Sequence, residues 1–290
     1  KHVGSYKNNK IESLFFTATP DLMVPHKESG IYSVYELSGE EKPKFYNITP
    51  FAIFDAIKAK ANVPFQIFNV IDLPPLGGTF KLDRDEYNEV QVDKLLTDRN
   101  DHHSVVYDLY YQASFNNIGG TQSQTFGKFA MAFCAGIAHA EKLKDYLNQQ
   151  LERPLPEDRQ RMWDAHEARY KKSVRDYFLA QKKASESREQ IEEKIATFLR
   201  EYPFVFADAV HSGNAAYPLS KQQAKDRLLR NRLGGSLLLA GANKMTEGYD
   251  NPRIEIIFNL NPVREANTRL IQRLGRLLRI FEENRQKIGI

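Results

Sequence analysis

Short apolar runs that end in small or polar residues recur along this chain, and they limit its fold more than any other feature. They are SLFFTATP (13–20), PFQIFNVIDL (64–73), KFAMAFC (128–134), PFVFADAV (203–210), SLLLAG (236–241) and IEIIFNL (254–260). Runs of four to eight apolar residues without strict alternation are typical of strands that are buried on both faces. We therefore expect them to form the strands of a parallel sheet.

Amphipathic segments lie between several of these runs. In IAHAEKLKDYLNQQL, a helical period places Ile137, Ala140, Leu143 and Leu147 on one face. SKQQAKDRLLRNRL begins at Ser220, a residue type that favours helix N-caps. Alternation of strands and helices predicts an α/β fold with a parallel sheet, helices on both faces and right-handed crossovers.

The segment at about 151–202 is strongly charged and contains no strand pattern. Apolar side chains recur there at helical spacing, and Ser187 with Gln190 can form a capping box between two helices. We predict an inserted helical hairpin that can be removed without loss of the core. Its stretch RYKKSVRDY could contact nucleic acid, although such charges more often form a solvated helix face. We expect His166 to pack rather than to bind a ligand.

Composition indicates a globular chain of 290 residues with 41% hydrophobic content and a net charge of +4. The charge is a mild lean towards anionic partners. Cys134 is the one cysteine, so an internal disulfide and a cysteine-based zinc site are excluded. The sequence has no apolar run of about 18 residues. We therefore expect a soluble, cytoplasmic protein with no membrane partner.

The stretch REANTRLIQRLGRLLRI, read as a helix, separates leucines from cations. Its polar arc contains Arg269, Gln272, Arg273, Arg276 and Arg279. Guanidinium groups without acidic partners on a rigid element suit bidentate binding of phosphate oxygens. A glycine inside a helix costs about 1 kcal/mol relative to alanine, which close approach of a ligand would explain. The alternative from this stretch alone is an ordinary basic surface helix.

LLLAGANKMTEGYDNP has the pattern of a strand followed by a polar turn. In parallel sheets, such turns at the carboxyl ends of strands are where ligands bind. Gly248 permits close approach of the backbone, and Asp250 can accept hydrogen bonds from the hydroxyls of a ribose. The alternative is ordinary turn chemistry at Asp-Asn-Pro.

Several motifs occur in one order: TATP (17–20), AFCAGIAHAEKLKDYL (132–147), AVHSG (209–213), MTEGYDNP (245–252) and QRLGRLLR (272–279). Each is weak alone, but together they resemble the later motifs of superfamily 2 helicases. The nearest likeness is to the motor subunits of type III restriction enzymes and related DEAD/DEAH-like translocases. The resemblance extends over the chain apart from the segment at about 151–202.

This resemblance implies a domain organisation. Residues 1–20 would be a remnant of a first RecA-like motor domain, 21–60 a connector, and 61–290 a second RecA-like domain of the P-loop NTPase type. No GxxxxGK[ST] phosphate loop and no DExH or DEAD motif occurs in the sequence. In this family both belong to the first motor domain, which would also hold the Mg²⁺ ligands for ATP. The fragment alone is therefore expected to be inactive.

The resemblance also implies roles for residues at the ATP site. Arg276 and Arg279 match the arginine fingers that reach the γ-phosphate of ATP, and Gln272 matches a residue that organises the same cleft. Gly248 and Asp250 match positions beside the ATP ribose. ATP with Mg²⁺ is thus the implied cofactor set, shared with the first motor domain of the same chain.

A second set of residues matches the nucleic-acid track. Thr17 and Thr19 match the motif that couples the nucleotide site to the track. The positions that match backbone contacts to nucleic acid are His211, Ser212, Gly213, Ala242 and Thr246. We expect a nucleic acid as partner, DNA rather than RNA. His102 and His103 are adjacent and would diverge on a helix, so we assign them no metal.

The leading hypothesis is the C-terminal motor domain of an ATP-dependent helicase or translocase. One alternative is a subunit of a restriction or repair system that translocates along double-stranded DNA without separating strands. A second alternative, of a different class, is a nucleic-acid-binding module without catalysis. The sequence alone leaves all of these open.

Overall fold

The computed structural model describes residues 65–67, 82–83, 86–116, 122–152, 154–211, 219–241, 251, 253–261 and 287–289. These residues lie in one compact unit, 52–290. Within them the chain forms a mixed α/β fold, which confirms the predicted fold class at that level. The predicted domain boundaries at 20 and 60 lie outside the described residues.

A parallel sheet forms the centre of the fold. Its order is β1-β10-β9-β6-β8-β7, and every pair of neighbours is parallel. The strands in this sheet are β1 (Phe65–Ile67), β6 (Ala130–Phe133), β7 (Val205–Val210), β8 (Ser236–Gly241), β9 (Ile256–Asn259) and β10 (Lys287–Gly289). Apart from β10, each lies inside an apolar run, so those runs predicted the strands correctly. The run at 13–20 lies outside the described residues.

Two small antiparallel pairs accompany the sheet. They are β2 (Leu82–Asp83) with β3 (Glu86–Tyr87), and β4 (Ser114–Asn116) with β5 (Gln122–Gln124). Neither pair was predicted, because strands of two or three mostly polar residues have no apolar pattern of their own. β10 was missed for the same reason, since it is only three residues long.

The helices of the described residues are α1 (Glu89–Thr97), α2 (Asn100–Tyr111), α3 (Ile137–Gln149), α4 (Glu157–Ala180), α5 (Arg188–Glu201) and α6 (Lys221–Arg232). Ser220 caps α6 and Ser187 caps α5, as predicted. Both caps are complete capping boxes, of which only the one at Ser187 was predicted. The predicted inner face of α3 is buried at Ala140, Leu143 and Leu147. A short 3₁₀ turn (Gln150–Glu152) follows α3.

Alternate side chains of the strands enter two different apolar clusters. Ala130 and Ala132 of β6 belong to the larger cluster, which also contains the buried face of α3. Met131 and Phe133 belong to a smaller cluster, against which Leu228 of α6 packs. Since neighbouring residues of a strand point to opposite faces, the sheet is buried on both sides. This explains why its strands lack polar alternation.

Helices α4 and α5 are part of the core rather than an appendage to it. Tyr170 and Val174 of α4 and Ile191, Ile195 and Phe198 of α5 lie in the larger apolar cluster with the strands. These five residues are among those that recur at helical spacing in the sequence of this segment. Their burial reverses our expectation that this segment can be removed without loss of the core.

The position of α4 explains this burial. Its aromatic residues contact the chain just before the central strands begin. Trp163 packs edge-on against Phe204, which precedes β7. His166 packs edge-on against Phe129, which precedes β6. The hydroxyl of Tyr170 donates to the carbonyl of Tyr202 at 2.6 Å. A Cβ on Gly235, just before β8, would lie 2.8 Å from the Tyr170 ring. Helix α4 therefore covers the amino-terminal edge of the sheet.

Candidate functional site

The carboxyl-terminal edge of the sheet lies opposite the edge that α4 covers. In register, Phe133 of β6 pairs with Gly241 of β8 and with Asn259 of β9, and Val210 of β7 also pairs with Gly241. The four central strands therefore end together. In open parallel sheets, ligands bind outside the carboxyl ends of the strands, so this edge is the candidate functional site.

Several of the predicted site residues follow these strand ends in the sequence: His211, Ser212 and Gly213 come after β7, and Ala242 and Thr246 come after β8. His211 follows β7, and it is the one predicted site residue that the structure describes. The others lie outside the described residues: Thr17, Thr19, Ser212, Gly213, Ala242, Thr246, Gly248, Asp250, Gln272, Arg276 and Arg279. Their assigned roles stay predictions.

His211 turns its imidazole towards α3. Its Nε2 lies 2.6 Å from Oε1 of Glu141, and the two side chains are 1% and 7% exposed. Burial alone would raise the pKa of Glu141, but hydrogen bonds from Lys144 and His211 outweigh burial and lower this pKa. An ionised carboxylate only accepts hydrogen bonds, so the Nε2–H group of His211 is the donor in this contact. The imidazole is therefore a buried partner of Glu141.

A second buried carboxylate, Asp208, lies in β7, the strand that ends just before His211. Arg227 of α6 reaches it, with Nη2 at 2.5 Å from Oδ1, and its Nη1 is 3.8 Å from Oε1 of Glu141. Arg230 pairs with the other oxygen of Asp208. Burial opposes ionisation of Asp208, but the two guanidinium groups outweigh it and lower the pKa. Arg227 thus connects the two carboxylates.

Neutral side chains extend this arrangement to β8. Asn231 donates through Nδ2 to Oδ2 of Asp208 at 3.1 Å, and Ser236 donates to Oδ1 of Asn231 at 2.8 Å. We call the whole set the buried polar network: Glu141, Asp208, His211, Arg227, Arg230, Asn231 and Ser236. It joins α3, β7, α6 and the start of β8.

The sequence contained one signal for this network that we did not use. Asp208 is a charged residue in the middle of an apolar strand, FADAV, and such a residue requires buried partners. The identity of these partners is not readable from spacing, since Glu141 and His211 are 70 residues apart. Only the packing of α3 and α6 against β7 brings them together.

We predict that Asp208→Ala destabilises the fold by about 3–5 kcal/mol, because it leaves two buried guanidinium groups without their carboxylate. Urea unfolding followed by circular dichroism measures this change. Asp145→Ala, at a carboxylate that is 55% exposed, is the matched control and should change stability by less than about 1 kcal/mol. An Asp208 variant that is as stable as the control would contradict a structural role for the network.

The amino terminus of α3 also lies at the carboxyl edge, and a carboxylate of this chain fills it. Oδ1 of Asp93, in α1, accepts from the backbone N–H of His139 at 3.0 Å. A Cβ on Gly136 would lie 2.3 Å from the Asp93 carboxyl carbon, so any other residue there would displace this carboxylate. Burial raises the pKa of Asp93 despite its backbone donors. This helix terminus is therefore already capped from within the fold.

Two buried histidines lie beside this cap. The ring of His139 accepts from the backbone N–H of Ala135 at 3.3 Å and stacks on the ring of His103, with centroids 5.4 Å apart. The ring nitrogens of His103 are buried and have no hydrogen-bond partner. The neighbouring residue in α2, His102, instead has its Nε2 3.1 Å from Nη2 of Arg99. Among the described residues, no group of histidine, cysteine, aspartate and glutamate could hold a metal ion.

His166 packs, as predicted, in an aromatic environment formed by Phe129 and Phe204. Burial lowers the pKa of His166 to about 4, and it likewise lowers the pKa of His103 to about 4 and that of His139 to about 3. These rings are therefore neutral in the folded protein at neutral pH.

We predict that the protein loses stability between pH 6.5 and pH 5. The three folded-state pKa values lie below the ordinary histidine value of 6.5, so the unfolded chain binds protons first. The stability that the neutral rings contribute is fully present above pH 6.5. As the pH falls below this value, the free energy of unfolding decreases by up to about 1.4 kcal/mol per pH unit for each ring. Urea midpoints at pH 7.5, 6 and 5 measure the slope. In His166→Phe, the change of unfolding free energy with pH should fall by about a third, because one of the three buried histidines is gone. An unchanged pH dependence would show that His166 does not contribute to it.

No protein-family model matches the chain, and no curated protein sequence matches it significantly. Within the described parts, no helix combines the length and the apolar character that a membrane crossing requires.

Proposed function

We propose that this chain is the second motor domain of an ATP-dependent superfamily 2 helicase or translocase. The observation that carries the proposal is where its motifs fall in the fold. Three of the motif segments begin within a central strand and continue in sequence past its end: AFCAG in β6, AVHSG in β7 and LLLAGA in β8. The strands are neighbours and end together. The fold thus supports a shared ligand site for motifs that are far apart in sequence.

In this proposal the chain supplies one half of an ATP site. Arg276 and Arg279 would place positive charge on the γ-phosphate as it leaves, while Gln272 organises the cleft. Phosphoryl transfer depends mainly on such positioning and charge, and an arginine finger can contribute about 10³–10⁵ in rate. The phosphate loop and the Mg²⁺ ligands would belong to the first motor domain. Gly248 and Asp250 would contact the ATP ribose.

The other part of the same edge would bind the track. Helicase motors bind the sugar–phosphate backbone, which carries no sequence information, through backbone amides and small polar side chains. The segments after β7 and β8, with Ser212, Gly213 and Ala242, have this composition. Closure of the two domains on ATP, and their opening after hydrolysis, would move this contact along the strand. DNA is the favoured track, through the likeness to restriction motors.

The test is ATP hydrolysis by the complete motor, this chain together with its first motor domain. Single- and double-stranded DNA and RNA should each be added in turn. We expect one of them to raise the rate, which would identify both the motor and its track. Stimulation by duplex DNA without strand separation would identify a double-stranded DNA translocase. Binding without hydrolysis under every condition would instead identify a non-catalytic nucleic-acid-binding module.

A further inference from the structure

The contact between Glu141 and His211 has a particular place in the fold. β7 ends at Val210, and His211 is the residue at which the chain leaves the sheet. Its side chain points back into the protein, where only 1% of it is exposed. The imidazole is thus turned away from solvent, and a nucleic acid at this edge would meet the main chain of His211 rather than its ring.

Glu141 is itself held firmly. It lies in α3, its carboxylate is 7% exposed, and its second oxygen pairs with Lys144. Arg227 approaches the same oxygen that His211 contacts, at 3.8 Å. A buried carboxylate with several cationic partners has one favourable geometry, since moving it would leave charges unpaired in the interior. Glu141 therefore fixes where the His211 ring can lie.

We propose that Glu141 is a positioning residue, which anchors the His211 imidazole to α3 and so fixes the main chain at the end of β7 for binding to a nucleic-acid backbone. The inference rests on the proposed function, because it assigns that end of β7 to the track. It goes beyond the helicase motifs, since Glu141 would act without touching nucleic acid. Main-chain groups account for many phosphate contacts, and they bind well only when they are held in place.

The test is Glu141→Gln in the 290-residue chain, with binding to fluorescein-labelled single- and double-stranded DNA and RNA measured by anisotropy. We expect about fivefold to tenfold weaker binding to whichever nucleic acid the wild type binds, as for the replacement of one charge-assisted hydrogen bond by a neutral one. The slope of log Kd against log salt concentration should not change, because no cation that contacts phosphate is removed.

Asp145→Asn is the matched control. It lies in the same helix and makes the same change in net charge, and its carboxylate contacts Lys144 rather than His211. Loss of an anion alone should tighten binding to nucleic acid slightly in both variants. Weaker binding by Glu141→Gln therefore has the opposite sign to the electrostatic effect. This separates positioning from a change in charge.

A spectroscopic measurement reports the contact independently of binding. The Nε2 proton of His211 should exchange slowly with solvent in the wild type and rapidly in Glu141→Gln, as seen by NMR of 15N-labelled histidine. Thermal melting checks that both variants fold. If Glu141→Gln does not fold, His211→Gln replaces it, and binding as tight as that of the wild type would overturn the proposal.

The outcomes separate the two proposals. If the wild type binds none of the four nucleic acids, the track assignment fails and this inference fails with it. If the wild type binds and Glu141→Gln binds like Asp145→Asn, while the His211 proton exchanges rapidly, only the positioning role is overturned. Weaker binding by Glu141→Gln alone, with an unchanged salt slope, supports it.

Discussion

Removal of helices α4 and α5, residues 157–201, with a flexible linker in their place, should abolish cooperative unfolding of the protein. The helices contribute buried aromatic and aliphatic side chains to the same cluster as the central strands. Their loss would expose Phe129 and Phe204 at the amino-terminal edge of the sheet. Truncation of one large buried residue costs about 2–5 kcal/mol, and whole domains are stable by only about 5–15 kcal/mol. Thermal melting followed by circular dichroism is the measurement.

Because a linker could itself strain the chain, point variants provide the control for this deletion. Tyr170→Ala with Ile195→Ala removes one buried residue from each helix and leaves the chain length unchanged. We expect this double variant to be unfolded or nearly so at 25 °C. Lys172→Ala, an exposed position on α4, should melt like the wild type. A deletion variant with a sharp, native-like melting transition would show that the two helices fold outside the core.

The central strands could be predicted because their environment leaves a local pattern. β6, β7, β8 and β9 are buried on both faces, so each lies in a short, mainly apolar run, although Asp208 interrupts the run in β7. The N-caps at Ser187 and Ser220 were predictable for a similar reason, since a capping box spans only four residues. The strongest sequence signals are thus those in which neighbours in sequence are also neighbours in space.

What was missed depends on contacts between distant parts of the chain. The charged composition of α4 hides a buried side, because its exposed residues outnumber Tyr170 and Val174 and dominate any average over the helix. Asp93 caps α3 from another helix, which no local motif reveals. The same holds for the pair of Glu141 and His211. Tertiary packing, rather than propensity, decides these positions.

The candidate site shows the same division. A strand followed by a turn indicates where a ligand edge lies, and the ends of β7 and β8 are where the sequence placed it. The resemblance suggested that His211 contacts nucleic acid, and the burial of its ring argues against a contact through the side chain. Motif resemblance thus selected the residue, and burial determines which of its atoms can act.

The change with the largest expected effect on activity is Arg276→Ala. If Arg276 is an arginine finger, the complete motor should lose about 10³-fold or more of its nucleic-acid-stimulated ATP hydrolysis, because charge on the departing γ-phosphate is no longer neutralised. The Kd for nucleic acid should change little, since the finger contacts ATP. Steady-state ATP hydrolysis at saturating nucleic acid measures the rate, and anisotropy measures the binding.

Arg276→Lys distinguishes a finger from a general need for positive charge. Lysine keeps the charge but not the planar, bidentate donor geometry of guanidinium, so at a finger position it should recover only a small part of the rate. Arg273→Ala lies in the same stretch and removes the same charge, but the resemblance assigns it no contact with ATP. We expect that variant to retain most of its hydrolysis. A similar loss in Arg273→Ala and Arg276→Ala would indicate a basic surface that binds anions in general, and an unchanged rate in Arg276→Ala would end the finger assignment.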